Sequence, residues 1–480
     1  MSDQVTAVVL AAGAGTRMKS AKAKVLHEIG GRSMIAHALA AVTGSGATRV
    51  VAVVGHDREQ VTRHIESLGA DVVIAVQDNQ NGTGHAVQVA LDALDGQPYG
   101  TVLVTYGDVP LLTATTLKAF LAEHVAAQRA VTILTAELDD PTGYGRIIRD
   151  PGGSVTAIRE HKDASADELA INEVNSGILA LDADFITRAL AHLGADNSQG
   201  EVYLTDVVGI AAAAGRPVGA HVLEDIWQTE GVNDRAQLAR LGCELNRRIN
   251  AQWMREGVTI IDPATTWIDS AVTIGVDTTI LPGTQLLGAT TIGAGAIVGP
   301  DTTLRNVEVG VGASVVRTHG SDAVIGPRAT VGPFAYLRPG TDLGAAGKIG
   351  TFVETKNAHL GEGAKVPHLS YVGDADIGAG SNIGAGTIVA NYDGVKKHRT
   401  KVGKDARTGA NNVFIAPVEI GDGAYTAGLT AIRNDVPPGA MAVGDTTQRN
   451  IEGWVQAKRP DTPAAEAANS VHEGEETAGE

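Results

Sequence analysis

Two hydrophobic rhythms divide this chain. In the first half, short apolar runs alternate with segments of helical spacing: residues 5–10 (VTAVVL) read as a buried strand, 33–42 as a helix and 50–54 as a second buried strand. The alternation continues through 72–76, 101–105 and 131–136. Apolar strands interleaved with helices predict a doubly wound, Rossmann-like α/β domain over residues 1–233. In the second half an aliphatic residue returns at every sixth position: Ile268, Ile274, Ile280, Leu286, Ile292, Val298, Leu304. The period resumes at Ile325, Val331, Leu337, Leu343 and Ile349, then at Val366 and Val372, at Ile383 and Val389, and at Phe414 and Ile420. A helix repeats every 3.6 residues and a strand every 2, so a period of six belongs to a repeat architecture, the left-handed parallel β-helix. Each six-residue side turns one aliphatic residue inward, and the sides stack into a prism around a continuous core. This predicts an all-β domain over 257–457. Between the halves, Leu238, Leu241, Leu245, Ile249 and Trp253 recur at spacings of three and four, predicting a connecting helix over 234–256.

Composition sharpens this picture without changing it. A chain of 480 residues exceeds the size at which one core stops growing, and two domains follow. Many of the 59 glycines fall at corners of the repeat, and only 4% of residues are aromatic, which suits a core of stacked Ile, Leu and Val. The single cysteine, Cys243, excludes an internal disulfide framework and fits a reducing compartment; its helical neighbours predict a buried small hydrophobe. No run approaches the ~20 apolar residues of a membrane span, and the opening residues carry no basic segment of a signal peptide, so a cytoplasmic protein is expected. A formal charge of −17 argues against nucleic acid as a general partner. Residues 458–480, rich in Ala, Glu, Pro and Gly and almost devoid of aliphatics, are expected to be disordered.

The first chemistry lies where the first strand ends. Leu10-Ala11-Ala12-Gly13-Ala14-Gly15-Thr16-Arg17-Met18, followed by Lys24, offers backbone N–H groups to phosphate oxygens, with two cations close behind. A dinucleotide fingerprint fails at its third glycine, where Met18 stands. Asp108 follows the strand TVLVTY, at the carboxyl edge where open α/β sheets bind ligands, and is a hard oxygen donor suited to Mg²⁺. The alternative is a turn-forming aspartate before Val109-Pro110.

The segment LAAGAGTRM…KVLH resembles the signature of nucleotidyltransferases that activate sugar phosphates, with Ala23 in place of their proline before Lys24. The resemblance continues in order through Asn81-Gly82-Thr83-Gly84-His85-Ala86, Tyr106-Gly107-Asp108-Val109-Pro110, Pro141-Thr142-Gly143-Tyr144-Gly145-Arg146, Glu160-His161-Lys162-Asp163 and Glu230-Gly231-Val232-Asn233. With the hexapeptides it covers almost the whole chain. It is a resemblance to the bifunctional N-acetylglucosamine-1-phosphate uridylyltransferase/glucosamine-1-phosphate acetyltransferase family (GlmU type). It implies UTP held by Leu10, Ala11, Ala12, Gly13, Arg17 and Lys24, and uracil read by Gln77, Gly82 and Thr83. It further implies contacts from Tyr106 and Gly107, Mg²⁺ held by Asp108 and Asn233, and N-acetylglucosamine 1-phosphate held by Gly145, Glu160 and Asn175. Two anions have to meet, so catalysis would rest on positioning and charge neutralisation.

In the repeat domain, His368 stands among small and aliphatic residues, with Tyr371 three places on. Asn391-Tyr392-Asp393-Gly394 begins a loop that interrupts the six-period, and Arg338 and Lys356 lie on neighbouring coils. Acyl transfer from a thioester to a sugar amine needs a base titrating near neutrality, the role assigned to His368. Arg338 and Lys356 would hold the sugar phosphate, and the resemblance places Tyr371 and Asn382 on the sugar. The same resemblance places Ala385, Asn391, Tyr392, Ala410 and Gly428 on acetyl-CoA as co-substrate. The family usually shows serine at Ala410, a loss of one hydrogen bond worth about 1 kcal/mol. It also shows Ala-Gly where Gly428-Leu429 stands; Leu429 either crowds the cofactor channel or packs between coils. A homotrimer is what the resemblance implies. An alternative, a nucleotidyltransferase whose β-helix only regulates or oligomerises, is opposed by His368 with Lys356, Arg338 and Tyr371.

Overall fold

The computed structural model describes residues 4–94, 98–444 and 448–477, with side chains through residue 470. It divides into two compact units, Met1–Gly347 and Lys348–Glu480, and this division falls inside the run of hexapeptide coils.

The first unit opens with a nine-stranded sheet built from β1 (Val5–Ala11), β2 (Arg49–Val54), β3 (Val73–Val76), β4 (Thr101–Tyr106), β5 (Val131–Glu137), β6 (Arg146–Arg149), β7 (Val155–Arg159), β8 (Glu173–Asp182) and β9 (Val218–Val222). The main order is β9-β5-β8-β4-β1-β2-β3, with β6 and β7 branching from β8. Strand β1 runs parallel to both β2 and β4, while β8 is antiparallel to β4 and β5. Alternate residues face opposite sides: Val8, Leu10, Val51 and Val104 enter one apolar cluster, Ala7, Val9, Ala52 and Leu103 the other. A sheet covered on both faces needs uninterrupted apolar strands, which is why the sequence shows runs instead of alternation. Helices α1 (Met34–Gly44), α2 (Arg58–Ser67), α3 (Thr83–Asp92) and α4 (Ala114–Ala126) connect the strands. Ser33 caps α1 by accepting from Ala36 N at 3.2 Å, which sets the helix start where the sequence placed it.

The connecting helix spans Arg235–Arg255, capped by Asp234, whose carboxylate accepts from Gln237 N at 2.8 Å. Leu241 packs with Met18, Ile29, Met34, Leu111 and Val232, so the residue that broke the dinucleotide fingerprint is a core anchor. Amides secure the far end. Asn246 Nδ2 donates to Thr266 O at 2.8 Å, and Asn250 Nδ2 to Pro263 O and Thr266 O at 3.0 and 2.9 Å. One expectation fails here: Cys243 is exposed, because the inward face of the helix carries Leu241, Glu244, Asn246 and Asn250.

Beyond this helix, two- and three-residue strands pair in parallel with the strand one turn later. Trp267 aligns with Gln285 and Thr273 with Thr291, eighteen residues on, the sum of three six-residue sides. Every aliphatic residue of the first run is buried. A second inward position, two residues earlier, carries Thr266, Thr278, Thr284, Thr290 and Thr302, all buried. Thr284 and Thr290 donate to the carbonyls of Leu281 and Leu287 at 2.7 Å, closing the corners.

The second unit continues the pattern, with Ile349, Val366, Val372, Ile383, Val389, Phe414 and Ile420 buried. One of its turns is much longer than the others. Val372 aligns with Thr355 seventeen residues before it, whereas Val402 aligns with Ile377 and Phe414 with Val389, both twenty-five apart. The extra residues form the loop opened by Asn391. The tail 458–480 departs from expectation in that Pro463–Thr477 is helical, and a short helix, Trp454–Lys458, precedes it. Alanine and glutamate are strong helix formers, and the Thr462 hydroxyl accepts from Ala465 N at 3.4 Å at the start of the second helix.

Candidate functional site

The carboxyl ends of β1 and β4 lie side by side, and the loops leaving them build two adjoining chambers. One, of about 320 Å³, is lined by Leu10, Ala11, Ala12, Gly13, Lys24, Gln77, Gly82, Thr83, Tyr106 and Asp108, with Gln80 and Glu201 added. The other, of about 520 Å³, is lined by Arg17, Tyr106, Asp108, Thr142, Gly143, Tyr144, Gly231 and Asn233. Tyr106 and Asp108 belong to both.

Local geometry explains why these residue types are there. Gly15 has φ +57°, and a β-carbon on it would lie 2.6 Å from Lys24 Cβ, so glycine lets the lysine close over the turn. The Ala12 carbonyl accepts from His56 N at 3.3 Å and Gln80 Nε2 at 2.6 Å, pinning the turn from two sides. Ala23 has φ −54°, close to a proline's value, so the missing family proline costs little shape. Its N–H, which proline lacks, donates to Gln60 Oε1 at 3.3 Å, while Gln60 Nε2 donates to Ala21 O at 3.1 Å.

Lys24 Nζ forms an ion pair with Asp108 Oδ2, both side chains largely buried. Asp108 is tied to Asn233's loop through Val232 N donating to Asp108 O at 2.9 Å. Tyr106 is half-buried, and desolvation together with the charges of Asp108 and Glu160 pushes its hydroxyl far above the usual phenol range. It stays a neutral donor. Gly177, with φ +81°, lies against its ring: a β-carbon there would come within 2.5 Å.

Gly145, Glu160 and Asn175 come together as expected. Asn175 N donates to Gly145 O at 2.9 Å, and a β-carbon on Gly145 would meet the Glu160 carboxylate at 3.4 Å. Burial raises the Glu160 carboxyl, opposed by the Thr205 hydroxyl donating to it at 3.2 Å. The bulge between Asn175 and Leu179 in β8 re-aims this stretch toward the site. Arg146 is buried, its guanidinium donating to Tyr144 O and, at 3.3 Å, to Leu169 O, which fixes the Pro141–Gly145 turn. Gly177, Gln80, Thr205 and Arg146 were not read as functional from sequence. An isolated glycine inside the β8 pattern was the one available signal.

The acetyltransferase candidates divide between the units. Arg338 lies in the first, after strand Ala335–Leu337, its carbonyl accepting from Thr341 N at 3.2 Å. In the second, His368 ends strand Lys365–His368 and is exposed, and Lys356 aligns with Gly373 on the neighbouring coil. Asn391 is buried, donating to Asp374 Oδ2 at 2.5 Å and to Tyr371 Oη at 3.4 Å. Asp374 also accepts from Asn357 at 2.7 Å; despite burial, these two amides and the charges of Lys356 and Lys397 hold its carboxyl below the usual range. Tyr392 is exposed, its hydroxyl donating to Gly394 O at 2.6 Å. Asn382 bridges Lys365 and Arg407 in the ladder, and Gly386 N, beside Ala385, donates to the His368 carbonyl at 3.2 Å. Leu429 N donates to Ala410 O at 2.8 Å next to Gly428, while the Leu429 side chain is 72% exposed and therefore does not pack between coils.

Residues 7–168 match the MobA-like NTP transferase domain family. Among curated proteins, the bifunctional protein GlmU of Corynebacterium efficiens is 61% identical over 472 residues, covering 97% of each chain. That of Corynebacterium glutamicum is 60% identical over 98% of each, and that of Paenarthrobacter aurescens 58% identical over 97% of this chain and 94% of its own. Identity of this order across both halves, over a nucleotidyltransferase sheet and a hexapeptide β-helix, leaves one assignment: the chain belongs to the GlmU family of bifunctional uridylyltransferase–acetyltransferases.

Proposed function

We propose that the chain makes UDP-N-acetylglucosamine, a precursor of cell-wall polymers, in two steps at two separate centres. Acetyl-CoA first acetylates glucosamine 1-phosphate on the β-helix. UTP then reacts with N-acetylglucosamine 1-phosphate in the α/β domain, releasing pyrophosphate. The observation that carries the second step is the pair of chambers meeting at Tyr106 and Asp108, one suited to a nucleotide and one to a sugar phosphate. Gln77, Gly82 and Thr83 would read uracil, Arg17 and Lys24 would neutralise phosphate oxygens, and Glu160 and Asn175 would accept and orient the sugar hydroxyls.

Asp108 and Asn233 offer a carboxylate and an amide oxygen on the wall of one chamber, a hard donor pair that fits Mg²⁺. Among the described residues no group of three His, Cys, Asp or Glu could cage a metal, so such an ion would depend on substrate phosphates for further ligands. When bound, the ion supplies charge neutralisation at the phosphates. The protein's own part is alignment: Lys24 and Arg17 would hold phosphate oxygens, and the half-buried, neutral Tyr106 would separate nucleotide from sugar.

At the second centre His368 would take a proton from the substrate amine, with Lys356 holding the phosphate and Asn391 and Tyr392 meeting the acyl donor. No helix among the described residues is long and apolar enough to cross a membrane; a cytoplasmic homotrimer completes the reading. Asp108→Ala should abolish UTP-dependent pyrophosphate release and leave thiol release from acetyl-CoA nearly intact, and His368→Ala should do the reverse. Equal loss of both activities in either variant would refute separate centres.

A further inference from the structure

The nucleotide chamber contains a side chain whose orientation is locked by a residue with no role so far. Gln77 is buried, and its Nε2 lies 3.1 Å from Gly82 O and 3.1 Å from His85 Nδ1. The Gly82 carbonyl can only accept, so the Gln77 nitrogen must be the donor on that side. With one hydrogen directed to Gly82 O, the other meets His85, which therefore presents the lone pair of Nδ1 and carries its own proton on Nε2. Both donors of the Gln77 amide are then engaged by protein, and Oε1 is left for a ligand in the chamber that Gln77 lines.

We propose that His85 is a positioning residue for nucleobase selection: together with the Gly82 carbonyl it keeps the Gln77 amide from flipping and so holds an acceptor, not a donor, toward the base. The inference rests on the assignment of Gln77 to uracil. Uracil presents a donor at N3–H beside an acceptor at O4. A fixed Oε1 beside the backbone N–H groups of Gly82 and Thr83 complements that pair. Cytosine presents the reverse, an acceptor at N3 beside the N4 amine, and only a flipped amide would suit it. His85 stands in the first turn of α3, two residues after Thr83, so the lock is part of the Gly82-Thr83-Gly84-His85 turn itself.

The test compares UTP and CTP as substrates for three full-length variants. His85→Leu keeps the bulk and loses the acceptor; its preference in kcat/KM for UTP over CTP should fall about tenfold, the worth of one hydrogen bond to a buried group. His85→Asn places an oxygen where Nδ1 stood and should restore most of that preference. Gln77→Leu should lose it altogether. Acetyl transfer and Tm serve as controls for folding. An undiminished preference in His85→Leu overturns the inference, as does equal loss in His85→Leu and His85→Asn, which would indicate packing alone. A Gln77→Leu enzyme that still prefers UTP overturns the assignment of Gln77 itself, and the role of His85 with it.

Discussion

Gly177 has no side chain because Tyr106 occupies the space where one would be. Its φ of +81° disfavours an L-residue, and a β-carbon would come within 2.5 Å of the ring. Gly177→Ala should displace Tyr106 from the wall common to both chambers. Shifts of about 1 Å at reacting groups can cost on the order of a hundredfold. Uridylyl transfer should fall by that order while acetyl transfer is unchanged; comparable rates in both assays would show the glycine to be dispensable. His124 makes a second point at this scale. It is buried on α4 against Thr132 of β5, its Nδ1 2.9 Å from the hydroxyl, and burial holds its pKa down to about 4. The unfolded chain then binds a proton that the folded one refuses. Its contribution to stability should be intact above about pH 6.5, decline as pH falls, and be lost by about pH 4, a change of ~3 kcal/mol. Urea melts of the wild type and His124→Gln should diverge with pH in that window and run parallel above it.

The connecting helix shows how an element can be readable in outline and opaque in detail. Its cap at Asp234 and its three-and-four spacing fix its limits. What it buries is a different matter: Asn250, fully enclosed, donates to two carbonyls of the first β-helix coil. Asn250→Ala would leave both carbonyls to other partners and should destabilise the first unit by about 2 kcal/mol, seen as a lower urea midpoint with unchanged m-value. An unaltered midpoint would mean that water replaces the amide without loss. Within the β-helix, by contrast, the six-period reads the core directly, because each side supplies one inward aliphatic residue and stacks on the next.

At the scale of the molecule, the activities are divided by sequence but the folding units are not divided at the same place. Leu241 of the connecting helix completes a cluster with Met18, Ile29, Met34, Leu111 and Val232. A chain ending at residue 233 would expose that apolar surface, which includes Met18 at the end of the glycine-rich turn after β1. Residues 1–256 should therefore give a more soluble and more active uridylyltransferase than residues 1–233, measured as pyrophosphate release per folded protein. Equal activity of the two fragments would show that the helix serves only as a connector.

The sheet, the prism and the connecting helix were legible in the amino-acid sequence, since periodicity is a property of neighbours along the chain. The fate of Cys243 and the helical tail were not: one depends on which face of a helix meets a partner, the other on helix propensity outweighing a polar composition. Nor could spacing show that Gly177 underlies Tyr106, that Arg146 fixes the Pro141–Gly145 turn, or that His85 restrains Gln77. Strand order decides the first two, by bringing β8 beside β4 and β6, and the turn into α3 decides the third. Sequence determined which chemistry the chain carries; tertiary structure decided which atoms remain available to perform it, because hydrogen-bond capacity is allotted only once every neighbour is in place.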